Sequence, residues 1–153
     1  MRIKTIMATA PALRKLPKRD NWEYAEDWDC IIHTEDEGII SIHIKKGYWT
    51  DLASVPRPLR GAFDNGSGEF RVLIASQVHD MLYSTHYLSK DFADTLFHDI
   101  LRHYGMNRLK AWLYYQAVHL FGDEAWEVLS DDEMKKDRKL CSLHWADKPG
   151  RLS

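Results

Sequence analysis

The stretch Gly38-Ile39-Ile40-Ser41-Ile42-His43-Ile44 alternates isoleucine with a polar residue. Because successive side chains of a strand point to opposite faces, this alternation is typical of a half-buried β-strand. An aromatic and β-branched run over residues 22–32 precedes it, and the polar segment 34–38 between the two ends in glycine, as a hairpin loop does. We therefore predict an antiparallel hairpin in the first third of the chain.

Prolines and glycines delimit this hairpin on both sides. Pro11 and Pro17 make the opening segment an arm or an edge strand rather than a helix. After the hairpin, Pro56 and Pro58 exclude a regular helix or a central strand, so we predict a structured loop that leaves the sheet. The Asn-Gly-Ser-Gly segment at 65–68 is the predicted flexible point, beyond which helical periodicity begins.

Two helices are predicted directly after this point. Apolar residues recur at steps of three and four over residues 70–84, which indicates a first helix with one buried face. Ser89 is a typical N-cap for a second helix, and Gly105 is a typical end for it. The short connection predicts that the two helices form a hairpin.

A third helix is predicted from the cap residue Asn107 to Gly122, with Trp112 at the spacing of a core residue. A short fourth segment begins at Asp123 or at Ser130, the latter through a capping box that pairs Ser130 with Glu133. The predicted fold class is α+β, with an N-terminal antiparallel hairpin or small sheet packed on three to four α-helices. We expect one domain over residues 1–140 and a C-terminal tail over residues 141–153.

The composition narrows the class of protein. The chain has 153 residues, of which 44% are apolar, and a formal charge of -2, so it suits one globular domain and has no basic excess for binding nucleic acid. Cys30 and Cys141 lack the spacing of a zinc knuckle or a disulfide framework. No apolar run reaches the length of a signal-peptide core or a membrane span. We expect no membrane partner.

His79-Asp80 is the pair that carries candidate chemistry. An imidazole beside a carboxylate can share a metal or a proton, and hydrolases use both chemistries. Tyr83 lies one turn further along the helix, and the three residues flank the apolar stripe, at the predicted edge of the core. The same pair can also act as a buried polar staple, and the sequence leaves both interpretations open.

Asp94 is predicted on the next helix, where antiparallel packing would bring it near His79 or Asp80. One histidine and two aspartates, His79, Asp80 and Asp94, would suit a divalent cation such as Zn²⁺, Mn²⁺ or Mg²⁺. Alternatively, Asp94 pairs only with Lys90 or Arg102. A second doublet, His98-Asp99, is predicted to lie on the surface.

The loop Thr50-Asp51-Leu52-Ala53-Ser54-Val55-Pro56 adds a carboxylate and a hydroxyl. Asp51 and Ser54 have the spacing of an Asx turn that bonds its own backbone. As chemistry, the loop would bring both residues to His79 and Asp80, giving a candidate catalytic set of His79, Asp80, Asp51 and Ser54. The loop lacks the Gly-x-Ser-x-Gly pattern of a serine nucleophile, which disfavours a serine hydrolase.

These motifs together are similar to a known family. Asp51, Ala53, Ser54 and Pro56 match the pattern Asp-x-Ala-Ser-x-Pro, and His79, Asp80, Leu82 and Tyr83 match His-Asp-x-Leu-Tyr. With Ala93-Asp94 and Ala117-Val118 in the same order, residues 38–126 resemble the domain-of-unknown-function family numbered 1353, small proteins of tailed bacteriophages and prophages. The chain departs from the pattern at His119, where a basic residue often follows.

The resemblance implies a phage or prophage origin and leaves the activity open. One hypothesis is a non-catalytic virion, tail or host-interaction protein, in which the His/Asp cluster clamps the loop to the helices. The other is a small metal-dependent hydrolase that uses His79, Asp80 and Asp94. Expected partners are phage or host proteins, and the expected location is the host cytoplasm or the virion; the sequence does not determine the oligomeric state.

Overall fold

The computed structural model describes residues 1–17, 21–50 and 69–148, apart from the side chains of Glu69 and Arg71. The elements in chain order are β1 (Ile3–Ala8), β2 (Leu13–Lys15), β3 (Trp22–Tyr24), β4 (Trp28–Thr34), β5 (Ile39–Ile44), β6 (Trp49–Thr50), α1 (Glu69–Thr85), α2 (Lys90–His103), α3 (Arg108–Glu127), α4 (Asp131–Leu140) and β7 (Cys141–Ala146). Strands β1–β6 come first, the helices follow and β7 comes after them, and this separation of strands from helices confirms the α+β class.

The main sheet has four antiparallel strands in the order β1-β4-β5-β7. β4 and β5 form the predicted hairpin, and Ile40, Ile42 and Ile44 are buried as their alternation predicted. β1 is an edge strand of this sheet, in agreement with the predicted arm or edge strand. β2, β3 and β6 form a smaller, three-stranded sheet.

The predicted C-terminal tail is wrong for residues 141–146, which form β7 and pair with β5. Cys141 and Trp145 are buried, and the Trp145 indole donates to the backbone carbonyl of Glu37 at 2.6 Å. Gly38 has a positive φ of 85°, and a Cβ there would collide with the backbone of Ala146. This segment therefore completes the sheet, through a pairing with a strand far away in sequence.

The helix boundaries follow the predicted caps closely. The Ser89 side chain accepts from the Phe92 amide at the start of α2, and Gly105 adopts the left-handed conformation just beyond its end. The capping box of Ser130 and Glu133 begins α4. The predicted end of α3 at Gly122 is wrong, because the helix continues through this glycine to Glu127.

α1 lies in the interior, where it packs against α2, α3 and α4. Its polar residues Ser76, Gln77 and Thr85 are fully buried beside apolar ones, so the helix is enclosed on more than one face. The predicted position of His79 at the edge of the core is therefore wrong: its side chain is 2% exposed. Within the described ranges, no helix is long and apolar enough to cross a membrane.

Candidate functional site

A buried carboxylate, Asp94, is the centre of the candidate site. α1 and α2 are joined by a short turn and pack together, so Asp94 on α2 reaches His79 and Tyr83 on α1. The Asp94 Oδ1 atom lies 2.7 Å from His79 Nε2 and accepts a hydrogen bond from the Tyr83 hydroxyl at 2.7 Å. Lys90, one turn before Asp94, donates to Oδ2 at 2.7 Å. Both carboxylate oxygens thus have strong partners.

α3 joins this arrangement through Lys90 and His119. The Lys90 ammonium donates to the His119 carbonyl at 3.1 Å and lies 3.3 Å from a carboxylate oxygen of Asp123. The His119 Nδ1 atom lies 3.4 Å from Asp94 Oδ2, which is beyond the usual length of a hydrogen bond. We call His79, Tyr83, Lys90, Asp94 and His119 the Asp94 cluster, and it connects three helices.

The position of Tyr83 also explains why residue 122, inside α3, is a glycine. A Cβ at Gly122 would collide with the Tyr83 hydroxyl, so only glycine lets the tyrosine keep its hydrogen bond to Asp94. The Tyr83 ring meets Trp126 edge to face, with 5.1 Å between the ring centroids. Trp126 lies at helical spacing from Val118, which was a sequence signal that the helix passes through Gly122.

Burial sets the protonation states of the cluster. Desolvation lowers the pKa of His79 below its ordinary 6.5 in spite of its bond to Asp94, and the Tyr83 and Phe97 rings lie 4.1 and 5.2 Å from its ring. Burial alone would raise the pKa of Asp94, but hydrogen bonds from His79, Lys90 and Tyr83 outweigh it and lower this pKa to about 2.

Burial and neighbouring charges also have opposite effects on the pKa of Lys90. Desolvation lowers its pKa, and the neighbouring carboxylates of Asp94 and Asp123 more than compensate, so the net shift of the pKa is upward. At neutral pH the cluster therefore holds an ionised Asp94, a charged Lys90 and a neutral His79. A neutral His79 donates through its Nε2–H to Asp94, as the 2.7 Å separation requires.

Asp80 lies on a different side of α1 from His79, since adjacent residues of a helix diverge by about 100°. It accepts a hydrogen bond from the Thr50 hydroxyl at 2.6 Å. Thr50 ends β6, and the segment that carries Asp51 and Ser54 follows it in the sequence. Asp80 therefore holds the end of β6 against α1.

The described residues do not assemble the predicted metal site of His79, Asp80 and Asp94. Among these residues, no group of three His, Cys, Asp or Glu side chains is placed to hold a metal ion. Lys90 already binds the second oxygen of Asp94, and its positive charge would oppose a divalent cation there. Asp51 and Ser54 lie outside the described residues, so their approach to His79 stays a prediction.

The predicted contact between His79 and Asp94 is confirmed, and so is the alternative pairing of Asp94 with Lys90. Arg102, the other suggested partner, instead donates to the Met106 carbonyl. The sequence did not indicate Asp123 or the Lys90 bond to His119, because nothing local places α3 beside the start of α2.

A surface depression lies near the cluster, and a separate set of residues lines it. Its walls are His86, Tyr87, Leu88, Ser89, Phe92, Trp126, Trp145 and Lys148. The His86 ring stacks on Trp126 with 3.7 Å between centroids. Because these walls include none of the five residues of the Asp94 cluster, access to the depression does not give access to His79.

Comparison with known proteins gives one match. A family model described as "Protein of unknown function (DUF1353)" matches residues 22–118, which is more than half of the chain. The match extends from β3 into α3 and includes His79, Asp80 and Asp94. No curated protein and no solved structure matches the chain.

Proposed function

The chain belongs to the DUF1353 family of proteins of unknown function, and from this premise we propose that it is a non-catalytic phage or prophage protein. In this proposal it is a virion or tail component, or a host-interaction factor, and its polar cluster is a clamp. The observation that carries the proposal is the saturation of Asp94. His79, Tyr83 and Lys90 all donate to its carboxylate, which has no exposed surface.

A catalytic group has to reach its substrate, and the side chains of His79, Tyr83 and Lys90 are turned toward the carboxylate of this cluster. The His79 side chain is 2% exposed, and the Asp94 side chain is 0% exposed. A buried polar network whose members are partnered rigidifies the elements that it joins, while an unsatisfied member would be costly. The geometry therefore favours a clamp that holds α1, α2 and α3 in one arrangement.

The second part of the clamp acts at the end of β6. The bond from Thr50 to Asp80 secures the point at which the Asp-x-Ala-Ser-x-Pro segment begins. Two adjacent residues of α1 thus have separate tasks: His79 holds α2, and Asp80 holds β6. This division supports the staple interpretation of His79-Asp80.

Two substitutions at His79 test the clamp. His79→Gln keeps an N–H group that can donate to Asp94, whereas His79→Leu removes the donor and leaves the carboxylate short of a partner. We expect His79→Leu to lower the free energy of unfolding by about 1–3 kcal/mol and His79→Gln to cost less. His98→Leu is the control, because its ring bonds Asp99 at 3.0 Å but is 31% exposed.

Phage yield separates a clamp from a catalytic role. If the protein is non-catalytic, the yield of phage carrying each variant follows the fraction of folded protein, and His79→Gln retains function. A folded His79→Gln protein with no function would contradict the proposal. Mass spectrometry of purified particles tests the virion version, which requires the protein to be present in them.

A small hydrolase is the second candidate, and one observation favours it. His79 is neutral and is oriented by a carboxylate, which is the pairing that general bases use. This version predicts hydrolysis of an ester or phosphoester that His79→Gln abolishes and Tyr83→Phe retains. For the metal-dependent form, the test is metal analysis of untagged protein together with melting in Mn²⁺ or Zn²⁺. Stoichiometric metal or a raised Tm would support that form.

A further inference from the structure

The outward face of α3 carries large apolar side chains that nothing in the described chain covers. We call this set the outer stripe. Its members and their exposed fractions are Leu109 (68%), Trp112 (51%), Leu113 (50%) and Leu120 (63%). Trp112 was predicted as a core residue, and the structure corrects this, because α3 turns a different face inward.

The inward face of α3 is a separate set of residues. Ala111, Tyr114, Val118 and Gly122 are buried at steps of three and four, and they lie on a different side of the helix from the outer stripe. A helix with apolar residues on both sides is typical of one that is buried on both sides. Contiguous exposed apolar patches of this kind mark interaction surfaces.

The charges of α3 are separated between its two ends. Arg108 and Lys110 lie in its first turn, the acidic Asp123, Glu124 and Glu127 lie near its end, and no Lys, Arg, Asp or Glu occurs over residues 111–122. This order is unfavourable for an isolated helix, because the macrodipole favours acids at the N-terminus and bases at the C-terminus. It becomes favourable when a second helix lies alongside in the opposite direction.

We propose that the outer stripe binds the same stripe of a second copy of this chain, with the two α3 helices antiparallel. A twofold axis between Gln116 and Ala117 places Leu113 of each copy against Leu120 of the other. The same axis places the basic end of one helix beside the acidic end of its mate, and the opposed dipoles also attract. A parallel arrangement would instead bring like charges together at both ends.

The area of the outer stripe limits the expected affinity of the dimer. The four side chains present on the order of 400 Å² of surface per copy, which is the size of a weak, transient interface. The contact is therefore a reversible dimer, with a Kd in the micromolar range rather than the nanomolar range. Because the pairing includes charges at the rim, added salt weakens it.

Sedimentation velocity on the full chain tests the proposal. From about 1 µM to about 200 µM protein, a range that brackets a micromolar Kd, the mass should rise from 17.9 kDa toward twice that value. Leu113→Lys and Leu120→Glu should each remain monomeric, since each places a charge against leucine. Met7→Lys, at an apolar residue of β1 that is 61% exposed, is the control and should dimerise normally.

Mixing the two variants tests the direction of the helices. In the antiparallel register, the lysine that replaces Leu113 in one chain lies against the glutamate that replaces Leu120 in the other. An equimolar mixture of Leu113→Lys and Leu120→Glu should therefore recover the dimer. Circular dichroism confirms that each variant is folded.

Two results would overturn the proposal. The first is a wild-type chain that stays monomeric at the highest concentration, which would leave the stripe to a different partner. The second is dimerisation that survives both single variants, because the interface would then lie elsewhere on the protein.

Discussion

Replacing Asp94 by asparagine is the sharpest test of the clamp. The change keeps the shape of the side chain, removes its charge and turns one oxygen into an NH₂ donor. If that donor faces Lys90, it opposes an ammonium that lies 2.7 Å away; if it faces α1, it opposes the donors of His79 and Tyr83. In either orientation at least one donor of the cluster loses its bond to residue 94.

The expected loss follows from the burial of this carboxylate. Breaking a buried charged pair by removing one partner costs about 3–5 kcal/mol when the remaining charge is left uncompensated. Because Lys90 keeps Asp123 at 3.3 Å, we expect Asp94→Asn to cost about 3 kcal/mol, at the lower end of that range. Asp123→Asn is the matched control, since Asp123 bonds the same ammonium at 3.3 Å but its side chain is 71% exposed. Exposed pairs contribute at most about 1 kcal/mol, so we expect Asp123→Asn to cost less than that.

Urea unfolding followed by circular dichroism and tryptophan fluorescence measures both variants. A domain of this size is stable by about 5–15 kcal/mol, so Asp94→Asn should lower the transition midpoint strongly and still leave folded protein at low temperature. If it does not fold, Tyr83→Phe removes a single donor and should cost about 1 kcal/mol. Equal losses for Asp94→Asn and Asp123→Asn would refute the clamp.

The same contacts lead to three further predictions. The folded-state pKa of His79 lies below its unfolded value of 6.5, so the unfolded state takes up a proton more readily than the folded state. The contribution of His79 to stability is therefore lost as the pH falls below about 6.5. In urea melts at pH 7.5 and pH 5, the stability difference between wild type and His79→Gln should be smaller at pH 5. In an ordinary helix, Gly122→Ala would raise stability by up to about 1 kcal/mol. Here the added Cβ collides with the Tyr83 hydroxyl, so we expect Gly122→Ala to lower stability, and to lower it less when Tyr83→Phe is also present. A stabilised Gly122→Ala protein would contradict this. A chain ending at Leu140 lacks β7 and should unfold at markedly lower temperature than one ending at Lys148, as measured by calorimetry, whereas equal Tm values would mean that β7 is dispensable.

Local signals in the sequence predicted most of the secondary structure. The isoleucine alternation of β5 and the caps at Ser89 and Ser130 act within a few residues, so they can be read without knowing the rest of the fold. β7 was missed because its strand character depends on pairing with β5. The end of α3 was misplaced because Gly122 is explained by Tyr83, which lies on another helix.

Part of the candidate site was predictable because two of its residues lie close together in the sequence. His79 and Asp94 lie on helices that follow one another after a short turn, so their approach could be anticipated. The burial of His79 could not be anticipated, because it depends on the three helices that pack around α1. The partner of Asp80 was also undetermined, since Thr50 reaches it from the smaller sheet.

By itself, the sequence determined the α+β class, the β4–β5 hairpin, the helix starts and the identity of the His/Asp pair. Only the tertiary structure decided the charge states at the site and the surface that α3 presents. The physical reason is that a pKa depends on the water removed and the donors supplied by neighbouring elements, and these gather around Asp94 from three helices. The same packing chose which face of α3 turned inward, and so left the outer stripe exposed.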